Sequence, residues 1–386
     1  MASTHILTVN SQTFNVHLNY MFAGTGKDGA EHQPGALADI LGIRPRDNIL
    51  FYVMGYGFYG FFVAKSAGER LVFYESPEGQ YLDDELGRKT LTYRFFIEPS
   101  PYGVYKYGVS EWDAIENPRN VAKQSVLNMQ WTWIFKKSKA GRGCVAIPAE
   151  EFLLLMSIIK NGNEGVPYSK QYSFSDGEIS PEKQPHEYLG ETSRAPLLHS
   201  NWGKIAREED LRIFFSADAG LDAILNGVLK PREHGSISYI ANEVKCSFGM
   251  RSIDLLFLTD LKKCLLVELK NKFVCAKSML DQMTGYARWI GSYKPYLQEI
   301  VPILVLRSPK LYPAGGRGYR FKFLSAQDMK KNRLSRWYRS IVDELDALRQ
   351  EVGRAKIPKL AELEVYTFNV NEKGMLQSFA PLEQKR

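Results

Sequence analysis

The sequence predicts a two-domain protein of mixed α/β and α+β class, and three observations predict it. Residues 48–65 (NILFYVMGYGFYGFFVAK) are β-branched and aromatic and are interrupted by Gly55, Gly57 and Gly60, as in two strands joined by a glycine-rich turn. Residues 252–306 hold two apolar strand-like runs, then a run with helical periodicity, then a third apolar run. Between these regions, residues 161–203 are rich in Gly, Pro, Ser and charge and poor in aliphatic side chains, so a linker or long surface loop is expected there. The expected boundaries are 1–160, 161–203 and 204–386, and a chain of 386 residues has the length that two domains occupy.

In the first half, Leu71–Tyr74 and Leu91–Ile97 continue the strand pattern. Ala149–Lys160 follows Pro148 and carries Glu150 and Glu151 in its first turn, where acids complement the open N–H groups of a helix start. In the second half, Arg207–Phe215 and Ala219–Val228 are expected as helices, and Tyr239–Cys246, Ile253–Thr259 and Cys264–Lys270 as strands. Met279, Met283, Tyr286, Ala287 and Ile290 recur at helical spacing and predict a helix over Lys277–Tyr293. A strand over Val301–Leu306, a helix over Asp328–Val352 and a strand over Glu364–Val370 complete the pattern.

Hydrophobic residues make up 44% and charged residues 24%, the balance of an ordinary globular protein. The formal net charge of +7 favours an anionic partner such as nucleic acid. Cys144, Cys246, Cys264 and Cys275 lie far apart, with no CxxC pair, and the histidines do not cluster, which excludes a zinc site and a disulfide framework as the basis of the fold. The opening MASTHILTVN lacks a basic segment followed by an apolar run, so no signal peptide is expected. The longest apolar stretch, around Phe152–Ile159, is too short to span a bilayer. A soluble cytoplasmic protein with no membrane partner is the expectation.

The chemistry is concentrated in Ser252–Lys270 (SIDLLFLTDLKKCLLVELK), two apolar strands joined by a polar turn. Asp254 opens the first strand, and Glu268 and Lys270 close the second. A hairpin sets the start of one strand beside the end of the other, about 4.8 Å away. Glu268 and Lys270 are two apart and share a face. Asp254 joins that face if the turn holds an odd number of residues, whereas four, Asp260 to Lys263, would require a bulge; the odd register is taken here. Two neighbouring carboxylates repel and lose solvation, and a divalent cation removes that cost. Oxygen ligands suit Mg²⁺, which accepts phosphate oxygens as well.

These residues resemble the PD-(D/E)XK nuclease superfamily: Asp254 matches the motif's aspartate, and Glu268, Leu269 and Lys270 match its E-x-K. Within it, SIDLLF, LLVELK and the helical pair Gln282 and Tyr286 are similar to the NucS/EndoMS-type nuclease domain, as are the acid-bearing helix REEDLRIFF and the strand EVYTFNV. The resemblance covers residues 205–310 well and 311–386 weakly. It implies a restriction-endonuclease-like α/β domain with a central mixed sheet, cutting DNA as an endonuclease. It implies Mg²⁺ or Mn²⁺ held by Asp254, Glu268 and the Leu269 carbonyl, with Lys270, Gln282 and Tyr286 at the catalytic centre. Glu243 is the first choice for an assisting upstream acid and Glu209 the reserve.

Residues 48–160 resemble the EVE and wider PUA-like β-barrel family through GYGFYGFF, LTYRFFIEP and WTWIFKKSKAGRGCVAIPAEEFLLLM. That implies a nucleic-acid reader, some members of which hold a modified base between aromatic rings. Tyr56, Tyr59, Trp131 and Trp133 are the candidate walls, and Lys136, Lys137, Lys139 and Arg142 the candidate phosphate contacts. The expected protein is a restriction-type endonuclease acting on DNA, plausible as a homodimer. The alternatives are a repair nuclease for mismatched or branched DNA and a nucleic-acid-binding module without catalysis, directed at DNA or RNA.

Overall fold

The structure, a computed structural model, describes residues 3–26, 34–65, 72–74, 81–87, 91–116, 143–194, 208–217, 224–246, 251–276, 278–294, 296–308, 333–370 and 376–382. The chain divides into two compact units, Met1–Leu197 with Ile237–Lys245, and Leu198–Ser236 with Cys246–Arg386.

The first unit begins with β1 (Thr4–Val9), α1 (Ser11–Tyr20), β2 (Phe22–Thr25), α2 (Pro34–Leu41), β3 (Asn48–Val53) and β4 (Gly57–Ala64). It continues through β5 (Phe73–Tyr74), β6 (Tyr93–Pro99), β7 (Val104–Tyr105), a π-helical turn (Trp112–Glu116), β8 (Cys144–Ile147) and α3 (Ala149–Lys160). Four short strands follow: β9 (Gly165–Val166), β10 (Tyr172–Ser175), β11 (Glu178–Pro181) and β12 (Ser193–Arg194). The strand β13 (Ile237–Cys246) lies with this unit up to Lys245. The main sheet runs β12-β5-β6-β4-β3-β1-β8, with β2 also paired to β6. Among the described residues these strands form one eight-stranded, half-barrel sheet.

The expected hairpin of residues 48–65 is present as β3 and β4. Gly57 sits at φ 120°, and a Cβ there would strike the Val109 backbone, so only glycine allows this close approach. α1 starts on Asn10, whose side chain accepts from the Thr13 N–H at 2.7 Å. α3 occupies the expected Ala149–Lys160 and buries Phe152, Leu155 and Ile159 against Ile6, Phe61, Val145 and Ile147. Each such side chain contributes about 1.5–3 kcal/mol on burial.

The segment 161–203, expected as a linker, instead carries β9 to β12 in its described part and packs into the first unit. Its anchors are aromatic. Tyr172 is buried, and Phe174 meets the rings of Phe14, Tyr56 and Tyr59 at 5.0–5.3 Å. A few well-placed rings hold a segment whose average composition is that of a loop.

The second unit contains α4 (Glu208–Ser216), a π-helical turn (Leu225–Leu229), β14 (Arg251–Thr259), β15 (Lys263–Lys270) and α5 (Ser278–Tyr293). β16 (Glu299–Arg307), α6 (Arg333–Arg354), β17 (Glu364–Val370) and β18 (Leu376–Pro381) complete it. From β14 the sheet runs β14-β15-β16-β17-β18. β15, β16 and β17 are mutually parallel, and β14 and β18 join antiparallel, so the sheet is mixed. β15 and β16 are near-continuous apolar runs, as strands covered on both faces require. Met279 and Met283 of α5 pack with Leu304 and Leu306 of β16 and with Ile341, Leu345 and Leu348 of α6. No helix among the described residues is long and apolar enough to cross a membrane.

Candidate active site

The hairpin of β14 and β15 sets the geometry. Its register pairs Leu255 with Val267 and Leu258 with Cys264. Between Leu258 and Cys264 lie Thr259 to Lys263, an odd connection in which Lys262 takes a left-handed conformation at φ 58°. Extended one residue outward, the same register places Asp254 across from Glu268, with both side chains on one face. β16 continues that face, because Glu268 and Lys270 are in register with Leu304 and Leu306. The two carboxylates therefore stand at the edge of the apolar layer formed by Leu304, Leu306, Met279 and Met283.

Each group of the expected triad is tied down. Asp254 Oδ2 accepts the Leu269 N–H at 2.9 Å, which replaces a ladder bond where the hairpin pairing ends. Lys270 Nζ donates to Glu268 Oε1 at 2.8 Å and to Glu208 Oε2 at 3.0 Å. Glu268 Oε2 is buried and has no hydrogen-bond partner among the described residues. Burial, followed by the charge of Asp254, raises the Glu268 carboxyl to about 7, with Lys270 pulling the other way. Burial also raises Asp254, against the Leu269 N–H and the charges of Lys270 and Arg212. Burial would lower Lys270, but Glu268 and Glu208 outweigh it and hold the ammonium above its usual range.

Tyr286 and Gln282 lie one turn apart on α5, which packs on β15 and β16. The Tyr286 hydroxyl donates to the Ser252 carbonyl at 2.7 Å. It therefore fixes the start of the strand that carries Asp254, and positions the site by this bond. Gln282 is half-buried on the same helix face. Leu269, the expected backbone ligand, is buried, and its N–H is the group that Asp254 uses.

Glu243, the first choice for an upstream acid, lies on β13 in the part grouped with the first unit, and its carboxylate faces Lys245 at 3.9 Å. Glu209 is exposed. Glu208, its neighbour at the start of α4, is the acid that reaches Lys270. One turn further along, Arg212 adds its charge to the field at Asp254. The signal in the sequence was the acid-bearing helix start, but only the helix phase separates Glu208 from Glu209.

The expected reader residues divide. Tyr56 is exposed. Tyr59 is core: its ring is buried, its hydroxyl donates to the Gly177 carbonyl at 2.9 Å, and a Cβ at Gly108 would run into it. Burial pushes its phenol up to about 12. As a wall for a base it is corrected to a packing residue, because β4 is buried on both faces and leaves no ring face open. Trp131, Trp133, Lys136, Lys137, Lys139 and Arg142 lie outside the described residues.

The donor set fits a hard divalent cation. Two facing carboxylates, one with an unpartnered buried oxygen, are an anionic oxygen site next to a cation. Among the described residues no group of three or more His, Cys, Asp and Glu side chains converges as a ready-made cage, and Mg²⁺ commonly uses one or two carboxylates plus water and phosphate.

No protein-family model matches the chain. A search of curated proteins likewise finds no match.

Proposed function

We propose that the second unit is a metal-dependent endodeoxyribonuclease of the PD-(D/E)XK type. One observation carries this reading: Glu268 keeps an unpartnered oxygen in a buried position, across the hairpin from Asp254 and 2.8 Å from the Lys270 ammonium. A structural ion pair does not need a second acid beside it, and a buried acceptor left open costs about 1–3 kcal/mol. A bound Mg²⁺ or Mn²⁺ would supply a Lewis acid for the scissile phosphate and a water of lowered pKa.

The residues have separate tasks. Asp254 and Glu268 would hold the ion, together with the Leu269 carbonyl. Lys270 would orient the attacking water and stabilise charge on the phosphate, with its ammonium kept protonated and aimed by Glu208. Tyr286 would maintain the strand that presents Asp254. The first unit would serve as the nucleic-acid reader, the net charge of +7 favours DNA as partner, and a cytoplasmic location goes with that substrate. Cutting both strands calls for two centres and hence a homodimer. A restriction-type role suits this pairing of reader and cutter, and a repair role would share the chemistry.

The test is cleavage of supercoiled plasmid DNA by the full chain with Mg²⁺ or Mn²⁺. Cleavage that stops with EDTA and with Glu268→Ala, while the variant keeps its fold and DNA affinity, supports the reading. Cleavage unchanged by that substitution sinks it. Cleavage of RNA alone moves the substrate class from DNA to RNA.

A further inference from the structure

Exposed aromatic rings of the first unit gather on one rim, around the β3–β4 turn and the segment on either side of β7. Single exposed rings are ordinary, whereas several held together mark a contact surface. Backbone bonds bring these together. Phe58 and Val109 exchange N–H···O bonds at 2.8 and 2.9 Å, and Gly57 runs against Val109 and Ser110. Tyr56 lies one residue before that contact and Trp112 two residues after it. Tyr107 is joined to the turn that follows α3: its N–H donates to Asn163 Oδ1 at 3.2 Å, and its carbonyl accepts from Asn163 Nδ2 at 2.8 Å.

The rings are of two kinds. Tyr102 and Tyr107 each seat an ammonium, with Lys160 Nζ 5.3 Å from the first ring centroid and Lys106 Nζ 4.9 Å from the second. A ring face attracts a cation and keeps its long side chain at the rim. Lys106 is shared with Glu178 at 3.3 Å, and Lys160 closes α3. Tyr56 and Trp112 are open rings, 43% and 71% exposed. Their surroundings are fixed. The Tyr56 N–H donates to the Val53 carbonyl at 2.9 Å, and its ring stands edge-on to Phe174 at 5.3 Å. Trp112 opens a turn in which Ser110 Oγ accepts the Asp113 N–H at 3.1 Å and Ala114 packs beside Phe152, Leu155 and Ile159. A ring in water on an anchored backbone has little order left to lose on binding.

Flat apolar faces beside cations match an unpaired base beside its phosphate. In a duplex each base face is covered by its neighbours, so only an unstacked strand offers them. The ammoniums among the rings favour this partner over a protein, because the cores of protein interfaces are poor in charge.

We propose that this rim binds single-stranded DNA, with unpaired bases stacking on Tyr56 and Trp112 and backbone phosphates meeting the Lys106 and Lys160 ammoniums. The inference rests on the reading of the first unit as a nucleic-acid reader and names the form of DNA that the reader takes.

The test is fluorescence anisotropy of the full chain in EDTA, so that nothing is cut. The probes are a labelled single-stranded DNA of about 20 nucleotides, longer than one such platform covers, its duplex, an abasic strand of equal length and the matching RNA. The single strand binds, and the abasic strand, which keeps the phosphates and lacks the bases, binds about tenfold more weakly. Trp112→Ala and Tyr56→Ala each weaken single-strand binding about tenfold and leave duplex affinity unchanged. Trp112→Ala, at the more exposed ring, decides the matter if Tyr56→Ala lowers the thermal melt. Lys160→Gln reduces the slope of log affinity against log salt by about 0.7, as the loss of one phosphate contact requires. Tyr296→Ala, at an exposed ring of the second unit, and Glu268→Ala bind like the unaltered chain. The proposal is overturned if the abasic strand binds as well, if RNA binds more tightly, if Trp112→Ala keeps full single-strand affinity or loses duplex affinity equally, if Lys160→Gln leaves the slope unchanged, or if Tyr296→Ala weakens binding as much. Cleavage that survives Glu268→Ala removes the cutting centre and leaves this binding standing, and loss of this binding leaves the centre standing.

Discussion

Lys270 Nζ lies 2.8 Å from Glu268 Oε1, so the cation of the site neutralises a carboxylate that burial disfavours. Lys270→Met should remove that support and leave Glu268 more readily protonated. Cleavage is expected to fall by about 10²–10³-fold, the scale for losing one aimed electrostatic group. The circular dichroism spectrum should be unchanged. Cleavage within a factor of about two of the original would refute the role.

Glu268 also makes a prediction about stability. Its folded pKa of about 7 lies above the ordinary carboxyl value of 4.5, so between these values the folded state binds more protons than the unfolded state. The contribution is fully present below 4.5 and is lost as pH rises through 7, on the order of 3 kcal/mol at most from about 1.4 kcal/mol per unit. In EDTA, the melting temperature of the chain should drop relative to Glu268→Gln between pH 5 and 8. Added Mg²⁺ should reverse the drop. A flat difference across that range would contradict the burial of an ionisable Glu268.

His17 acts with the opposite sign. It is fully buried beside Phe22 and Phe51, neither ring nitrogen makes a hydrogen bond of normal geometry among the described residues, and the nearby Phe22 backbone gives only a partial offset. Burial, and then the Arg94 charge, lower its pKa from 6.5 to about 3. The folded state binds fewer protons in that window, so stability is complete above 6.5 and is lost as pH falls toward 3. His17→Leu should flatten this acid limb, with a gain on the order of 1–3 kcal/mol at pH 5 from removing unpartnered buried nitrogens. Denaturant titrations at pH 5 and 7.5 check it, and equal pH dependence in both proteins would count against it.

Tyr286→Phe deletes one hydrogen bond, to the Ser252 carbonyl at 2.7 Å, and keeps the ring. The expected loss of stability is about 0.5–1.5 kcal/mol. Because Ser252 precedes Asp254 by one face repeat, kcat should fall several-fold with little change in KM. An altered KM with unchanged kcat would mean that the hydroxyl contacts substrate instead.

Glu208→Gln and Glu209→Gln are a matched pair. Only Glu208 reaches Lys270, at 3.0 Å. Cleavage should drop about tenfold in the first variant and stay level in the second. The reverse result would rotate α4 relative to this structure.

The hairpin was legible because its signals are local: apolar runs, a polar turn and charges at the strand ends. The parity of the Thr259–Lys263 connection was not, since turn conformation depends on details such as the left-handed Lys262. Tyr59 was misread as a ligand wall because alternation implies one open face, and β4 has none. The strands within 161–194 were hidden because their stability resides in Tyr172 and Phe174, two rings in a polar context. Glu208 and Glu209 differ only in helix phase, which no composition reveals. Placing Glu243 needed long-range contacts, and these group it with the other unit.

The five residues from Thr259 to Lys263 behave as a counter as well as a connector. Removing one of them would leave Asp254, Glu268 and Lys270 all in the polypeptide, yet strand pairing would have to slip or the aspartate would turn to the back of the ribbon. For this chain, a single-codon deletion in an exposed loop is therefore as severe as replacing an acid at the centre, although the lost residue itself touches nothing there.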